Sequence, residues 1–222
     1  MSSAGSGSVW QCWACHRDPG ECTTISHATR ADEGPRLGRL VALARGGDEP
    51  AREALVRRAL GLSMRTAYAV LGRRDAAADI AQDVGVDVLR GLGSLRDPER
   101  FDAWVHRMTA RRAIRSARAA RLLGRREPSL ESLGPDHPLL SVEDPPARVF
   151  DPALRRALLA LPARQRLAVV LRYVHDLTED GVAEALGCAP GPAASLLSRA
   201  RSALRRAPEL AHLFAGGGEG GA

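Results

Sequence analysis

Four arginines in the middle of the chain stand at spacings of four, four and three residues: Arg107, Arg111, Arg115 and Arg118. On a helix these spacings stack the guanidinium groups on one face, where like charges four residues apart repel by about 0.2–0.5 kcal/mol per pair. No acidic residue interrupts the sequence between Ala103 and Arg126. Such a stripe is better explained by an anion that neutralises it, and we expect that anion to be a nucleic-acid backbone.

Cysteine and histidine residues cluster near the N-terminus: Cys12, Cys15, His16, Cys22 and His27. A C-x-x-C-H string can attach haem, but that chemistry belongs to exported proteins, and no apolar signal segment precedes it. The same residues could supply four tetrahedral zinc ligands or a thiol switch. Because this Gly- and Ser-rich stretch can bury little core, we favour a disordered tail without a metal and expect no cofactor.

Catalytic chemistry is not indicated elsewhere in the chain. The sequence contains no G-x-x-x-x-G-K-[ST] or G-x-S-x-G string, and no acid pair is placed for general acid-base work. The remaining histidines are scattered: His106, His137, His175 and His212. We therefore do not expect an enzyme.

Composition points to a soluble helical protein with a polyanionic partner. The chain has 222 residues, a net charge of +6 and 45% apolar residues, and all 32 basic residues are arginine. Aromatic residues make up 4% of the chain and β-branched runs are missing, so we expect an all-α fold. No segment suggests membrane insertion, and we expect a cytoplasmic protein.

Two helices around a tight turn, followed by a third, are predicted between Leu161 and Arg206. Apolar residues recur with a helical period after Pro162, which can open the first helix. Thr178 is a candidate N-cap and Gly187 a candidate C-cap for a short middle helix. After a turn at residues 188–191, Pro192 can start the last helix. This order is a helix-turn-helix signature.

Earlier in the chain, helical patterns predict one helix around Leu37 and Ala44, and a longer one from Ala51 to Leu71 that Gly72 ends. They are followed by DAAADIAQDVGVDVLRGLGSL and RDPERFDAWVHRMTARRAIRSARAAR. In the first of these strings, spacings of three and four put Asp79, Gln82 and Asp83 on one helical face. Taken alone, this set is also typical of a solvated acidic face.

Together, these segments resemble the extracytoplasmic-function (ECF) sigma factors of bacterial RNA polymerase. The segment from Leu161 to Arg206 resembles sigma region 4, and the two strings above resemble sigma region 2. The resemblance implies two small helical domains. We place a tail at residues 1–34, the region 2 domain at 35–123, a Pro-rich linker at 124–150, the region 4 domain at 151–207 and a second tail at 208–222.

The same resemblance implies partners and site residues. Asp79, Gln82 and Asp83 would bind core RNA polymerase. Promoter DNA at the −10 region would meet Arg96, Arg107, Arg111, Arg112, Arg115 and Arg118. The −35 region would meet Thr178, Ser195, Ser198, Arg199 and Arg201. An anti-sigma factor or helper regulator is a further expected partner. The alternative is a sigma-like regulator that binds polymerase or another regulator without directing initiation.

The recognition helix departs from the family pattern, which usually begins G-T-V-K-S-R-L. Here the aligned string is GPAASLL, so Ala194 and Leu196 replace the two long basic side chains. Alanine cannot donate a hydrogen bond from its side chain, and leucine offers only apolar contact. We therefore expect weak −35 readout, and a helper protein near an exposed Leu196 is one way in which specificity could be supplied.

Overall fold

The computed structural model describes residues 30–122 and 151–211, and within these ranges the chain is helical and contains no strand. The cysteine and histidine cluster, the predicted linker and the second tail beyond residue 211 lie outside the described residues. Eight α-helices follow one another in the described ranges: α1 (Arg30–Arg45), α2 (Glu49–Leu71), α3 (Arg74–Gly91), α4 (Phe101–Leu122), α5 (Pro152–Ala160), α6 (Ala163–Tyr173), α7 (Glu179–Leu186) and α8 (Pro190–Arg205).

The first four helices form one domain, with α2 at its centre. Asp48 caps α2 by accepting a hydrogen bond from the backbone N–H of Ala51 at 2.7 Å, and Gly72 ends it with φ of 68°. Phe101 and Leu55 are fully buried between the helices. Each such side chain contributes roughly 1.5–3 kcal/mol by leaving water. Burial of this central helix therefore holds α3 and α4 in place.

Two glycines allow close approaches that matter for the surfaces described below. A Cβ atom at Gly85 would lie 3.1 Å from a methyl carbon of Leu60, so the missing side chain lets α3 pack tightly on α2. A Cβ at Gly91 would lie 3.0 Å from the ring of Trp104. Trp104 packs against the core and meets Phe101 edge-on, with ring centroids 6.1 Å apart, as expected for a packing residue.

The second domain contains α5 to α8. Thr178 caps α7, accepting from Gly181 N–H at 3.1 Å, and Gly187 ends the helix with φ of 63°, as the sequence predicts. The start of α8 was predicted wrongly: the helix begins at Pro190 instead of Pro192. Both prolines suit a first helical turn, where no backbone N–H is needed, so the pattern alone does not choose between them.

The two domains pack directly on each other in this structure. Helix α2 contacts α5 and α6, while α4 contacts α6 and α7. Buried residues of both domains form one continuous apolar cluster. Arginines of the second domain also bind the end of α2: Arg155 donates to the carbonyl of Gly72 at 2.8 Å, and Arg166 donates to that of Val70.

Candidate nucleic-acid and polymerase interfaces

The arginine stripe lies on the outer face of α4. Arg107, Arg111, Arg115 and Arg118 are all exposed, while Val105 and Ala113 on the opposite side are buried. Among the described residues, no acidic side chain pairs with any of the four arginines. The stripe therefore presents four positive charges, over about three helical turns, to whatever anion reaches it.

Arg112 occupies a different face of α4 from the stripe. Its side chain is turned toward α3, where it forms an ion pair with Asp87 and a longer one of 3.7 Å with Asp83. Its side chain is 27% exposed, which is less than that of either acid. Contact between Arg112 and DNA stays a prediction, whereas its role in joining α4 to α3 is visible.

The predicted polymerase-binding residues share an exposed face of α3. Asp79, Gln82 and Asp83 are all exposed, and two apolar side chains extend the same surface: Val86, 37% exposed, and Leu89, 57% exposed. These two residues were not predicted from the sequence, although Val86 and Leu89 follow Gln82 at helical spacing. We name this surface of five residues the α3 face. Its mixture of carboxylate, amide and apolar groups suits a protein partner.

Charge is also concentrated at the start of α3. The side chain of Arg73 hydrogen-bonds the carboxylate of Asp75, with Nε and Oδ1 3.3 Å apart. This hydrogen bond lowers the pKa of Asp75 below its usual value and raises that of Arg73. Asp75 lies in the first turn of α3, where a carboxylate also interacts favourably with the helix dipole.

The loop between α3 and α4 is held by a residue that sequence analysis did not single out. Arg45 at the end of α1 donates to the carbonyl of Leu92 at 3.0 Å and to that of Leu95. The loop carries Arg96, which is exposed, and Asp97, which caps a short 3-10 turn by accepting from Glu99 N–H at 3.0 Å. Anchoring by Arg45 thus fixes the segment that presents Arg96 beside α4.

The recognition helix α8 presents a sparser surface. Ser195, Ser198 and Arg199 are exposed, but Arg201 is half-buried, and the Thr178 hydroxyl is engaged as the cap of α7. The expectation of an exposed Leu196 is wrong, since this side chain is half-buried and packs against the core. A register that buries Ala193, Leu197 and Ala200 turns Leu196 partly inward as well.

No group of three His, Cys, Asp or Glu side chains within residues 30–122 and 151–211 is arranged to hold a metal ion. In that part of the chain no helix combines the length and the apolarity needed to cross a bilayer.

Two family models match the chain. Sigma-70 region 2 matches residues 55–122, which include the α3 face and the arginine stripe. Sigma-70 region 4 matches residues 152–204, which include α5 to α8 almost completely.

Curated relatives are ECF RNA polymerase sigma factors. SigM of Mycobacterium tuberculosis is 30% identical over 188 residues, covering 84% of this chain and 91% of SigM. ShbA of Streptomyces griseus is 32% identical over 193 residues, covering 81% of this chain and 99% of ShbA. SigE of Mycolicibacterium smegmatis is 29% identical over 162 residues, and there the match spans only 61% of the relative's length.

Solved structures of the same kind share the fold. CnrH, solved with the cytosolic domain of CnrY, aligns with a TM-score of 0.54 and 25% identity, over 81% of this chain and 98% of CnrH. The sigma factor RpoE of Bartonella quintana, solved with the anti-sigma factor NepR, aligns with a TM-score of 0.51 and 25% identity, over 68% of this chain and 91% of RpoE. With both sigma regions matched and relatives covered almost end to end, the chain belongs to the ECF family of RNA polymerase sigma factors.

Proposed function

We propose that this protein binds core RNA polymerase and directs transcription initiation at promoters with −10 and −35 elements. The observation that carries the proposal is the presence, in one chain, of both sigma regions, each with an exposed surface suited to its partner. A sigma-like regulator that does not direct initiation is not favoured, because the curated relatives are themselves sigma factors.

Polymerase binding is assigned to the α3 face. Asp79, Gln82 and Asp83 supply hydrogen-bonding groups that remain exposed in the structure. Val86 and Leu89 add apolar area that a partner would remove from water, at roughly 25 cal/mol per Å² buried. A surface that combines an apolar centre with a polar surround resembles the usual anatomy of protein interfaces.

Contact with the −10 region is assigned to α4 and the loop before it. The exposed stripe matches a nucleic-acid backbone in charge, and phosphate contacts of this kind set affinity and register without reading sequence. Arg96 stands at the N-terminal side of the stripe, on the anchored loop, where it is available to a base or phosphate. Arg112 stabilises this surface by joining α4 to α3 through its ion pair with Asp87.

Contact with the −35 region is assigned to α8, with limited readout. Ser195, Ser198 and Arg199 remain as exposed polar groups, and Arg199 is the one long donor among the three. Thr178, whose hydroxyl caps α7, and the half-buried Arg201 remain further candidates for −35 contact. Each missing bidentate contact removes about 1–3 kcal/mol of discrimination between base pairs. The −35 element is therefore expected to contribute less to promoter choice than the −10 element.

An anti-sigma factor is the expected regulatory partner. The sigma factor RpoE of Bartonella quintana was solved with an anti-sigma factor, and CnrH with the cytosolic domain of CnrY. By this likeness we expect a partner protein that sequesters the chain until a signal arrives. We also expect no catalytic activity and a location in the cytoplasm, where polymerase and promoter DNA are found.

The test is transcription by purified components. Core polymerase with this protein should produce discrete start sites on a genomic template library, and core polymerase alone should not. Gel filtration should show that the protein elutes with core. Elution with core but no new start sites would favour the regulator instead.

A further inference from the structure

Two histidines meet where the two domains pack together. His106 on α4 is 3% exposed, and His175, just after α6, is half-buried. Their ring centroids are 4.5 Å apart, with the planes inclined at 60°. The hydroxyl of Thr66 on α2 lies 2.7 Å from Nε2 of His175. We name His106, His175 and Thr66 the imidazole contact, because it joins α2 and α4 of the first domain to the second domain.

Hydrogen bonding in the imidazole contact disfavours a charge on His106 and is compatible with either protonation state of His175. The Thr66 hydroxyl donates to the carbonyl of Leu62 at 2.8 Å, so its oxygen is left to accept from Nε2–H of His175. Nδ1 of His106 is buried and has no hydrogen-bond partner among the described residues. A proton on this nitrogen would be a buried donor without an acceptor, which costs about 1–3 kcal/mol.

Burial, complete for His106 and partial for His175, opposes protonation of the two rings, and nearby arginines add to this effect. Burial lowers the pKa of His106 to about 4; Asp102 acts in the opposite direction, and Arg65 and Arg58 lower the pKa further. Burial lowers the pKa of His175 well below its usual value, and His106 and Arg65 add to this effect.

Neighbouring carboxylates are already engaged with arginines. Asp102 is bound by Arg58, with Nε and Oδ1 2.8 Å apart. Asp176, next to His175 in the chain, lies 3.6 Å from Arg172. The residues that face the contact from α2, α4 and α6 therefore offer little compensation for an added positive charge.

The two domains, packed as in this structure, cannot contact both promoter elements at the same time. Elements centred at −10 and −35 are about 25 base pairs apart, or roughly 85 Å of duplex at 3.4 Å per pair. A packed body of the size described is only roughly 40 Å across. The intervening segment, residues 123–150, could extend up to roughly 90–100 Å, so the chain allows the domains to separate. This step rests on the proposed function, whereas the contact itself does not.

We propose that the imidazole contact is a proton-sensitive latch: it holds the two domains together while both rings are neutral and releases them when the rings are protonated. On release both rings gain exposure to water, where a histidine has a pKa of about 6.5. The packed state is therefore favoured above about pH 6.5 and is progressively lost as the pH falls toward the folded pKa. For His106 alone, the opening equilibrium should rise on the order of 30-fold between pH 7.5 and pH 5.

Small-angle X-ray scattering of the full chain at pH 7.5 and pH 5 tests the latch, with circular dichroism to verify that helix content is retained. The natural chain should have a larger radius of gyration at pH 5 than at pH 7.5, because the opening equilibrium shifts on the order of 30-fold toward the extended state. The double variant His106→Leu/His175→Leu should stay compact at both pH values. His137→Leu, which removes a histidine outside the contact, should behave like the natural chain. If the double variant loses helix content, His175→Leu alone takes its place and should reduce the pH-dependent opening.

A natural chain with the same radius of gyration at both pH values would overturn the latch. So would a histidine variant that retains helix content but opens over the same pH range as the natural chain. Because scattering requires neither polymerase nor DNA, either failure leaves the proposed function standing.

Discussion

We propose that helices α4 and α8 both face DNA, and their exposed side chains differ in chemistry. Helix α4 presents four exposed arginines that no acid neutralises within the described residues, whereas α8 presents Ser195, Ser198 and Arg199. Long guanidinium groups reach phosphates and bases, but serine hydroxyls reach only what lies beside them. The first domain is therefore equipped for affinity, and the second domain for modest readout.

The two helices also differ in how they are supported. Arg112 and Asp87 connect α4 to α3, and Arg45 holds the adjoining loop, so the basic surface rests on a braced scaffold. Helix α8 is held by burial of Ala193, Leu197 and Ala200, and the same burial turns Leu196 partly inward. Packing thus removes a residue from the surface that would otherwise be free to contact DNA.

The largest effect is expected from the stripe. Replacing Arg107, Arg111, Arg115 and Arg118 with alanine should flatten the slope of log affinity against log salt by about 3 to 4 units, because four phosphate contacts are lost. The measurement is titration of duplex promoter DNA with holoenzyme.

A matched charge control uses exposed arginines elsewhere. Arg39→Ala/Arg156→Ala removes two charges from α1 and α5 and should leave the slope unchanged. Arg111→Ala/Arg115→Ala should lower it by about 1.8 units. A quadruple variant with the parental slope would remove the phosphate assignment.

Next in size is loss of polymerase binding from the α3 face. Substituting Asp79, Gln82 and Asp83 together with alanine should weaken retention by core polymerase about 10-fold or more, and Val86→Ser/Leu89→Ser should have a similar effect, as for interface hot spots. A pull-down at several core concentrations measures both. Glu49→Ala/Glu53→Ala on α2 is the control for lost acidic charge. Unchanged retention of the triple variant would contradict the assignment of polymerase binding to the α3 face.

A smaller gain in −35 affinity is expected when a long basic side chain is introduced on α8. Ala194→Lys should strengthen −35 binding about 5-fold if the new ammonium meets a base edge, which corresponds to roughly 1 kcal/mol, because a lysine lacks the bidentate geometry of arginine. Footprinting of the −35 region by holoenzyme measures it, and Ala160→Lys at the end of α5 controls for added charge. Protection of one −35 sequence at nanomolar affinity by the natural protein would contradict the claim of sparse readout.

The smallest effect is expected from substituting Arg112, which lies on a different face of α4 from the stripe. Arg112→Ala should lower the free energy of unfolding by about 0.5–1 kcal/mol, since it breaks a partly exposed ion pair with Asp87. Arg115→Ala should leave stability nearly unchanged but weaken DNA binding. Urea unfolding and DNA titration of both variants measure the two quantities. If Arg112→Ala and Arg115→Ala changed the free energy of unfolding and the DNA affinity equally, the distinction between Arg112 and the stripe would be contradicted.

Features that depend on nearby residues were predictable from sequence. The caps at Thr178 and Gly187 and the end of α2 at Gly72 follow from local backbone preferences, and the structure confirms them. The exposure of the stripe follows from helical spacing alone. Even so, the predicted start of α8 at Pro192 was wrong, because Pro190 suits a first helical turn equally well.

Features that depend on packing between distant segments were not predictable. The direction taken by Arg112 depends on Asp87 across the helix pair, and the loop anchor depends on Arg45 of α1. The meeting of His106 with His175 requires the two domains to be packed, and in the sequence both histidines look isolated. Periodicity indicates which side of a helix is apolar, but not which polar group of another helix will contact it.

Mapping of transcript 5′ ends tests the central comparison most directly. Core polymerase with this protein is used to transcribe a genomic template library, and the promoters upstream of the mapped ends are aligned. We expect a shared −10 sequence and a −35 sequence of clearly lower information content. Start sites that share a strong −35 sequence and no −10 sequence would contradict this expectation.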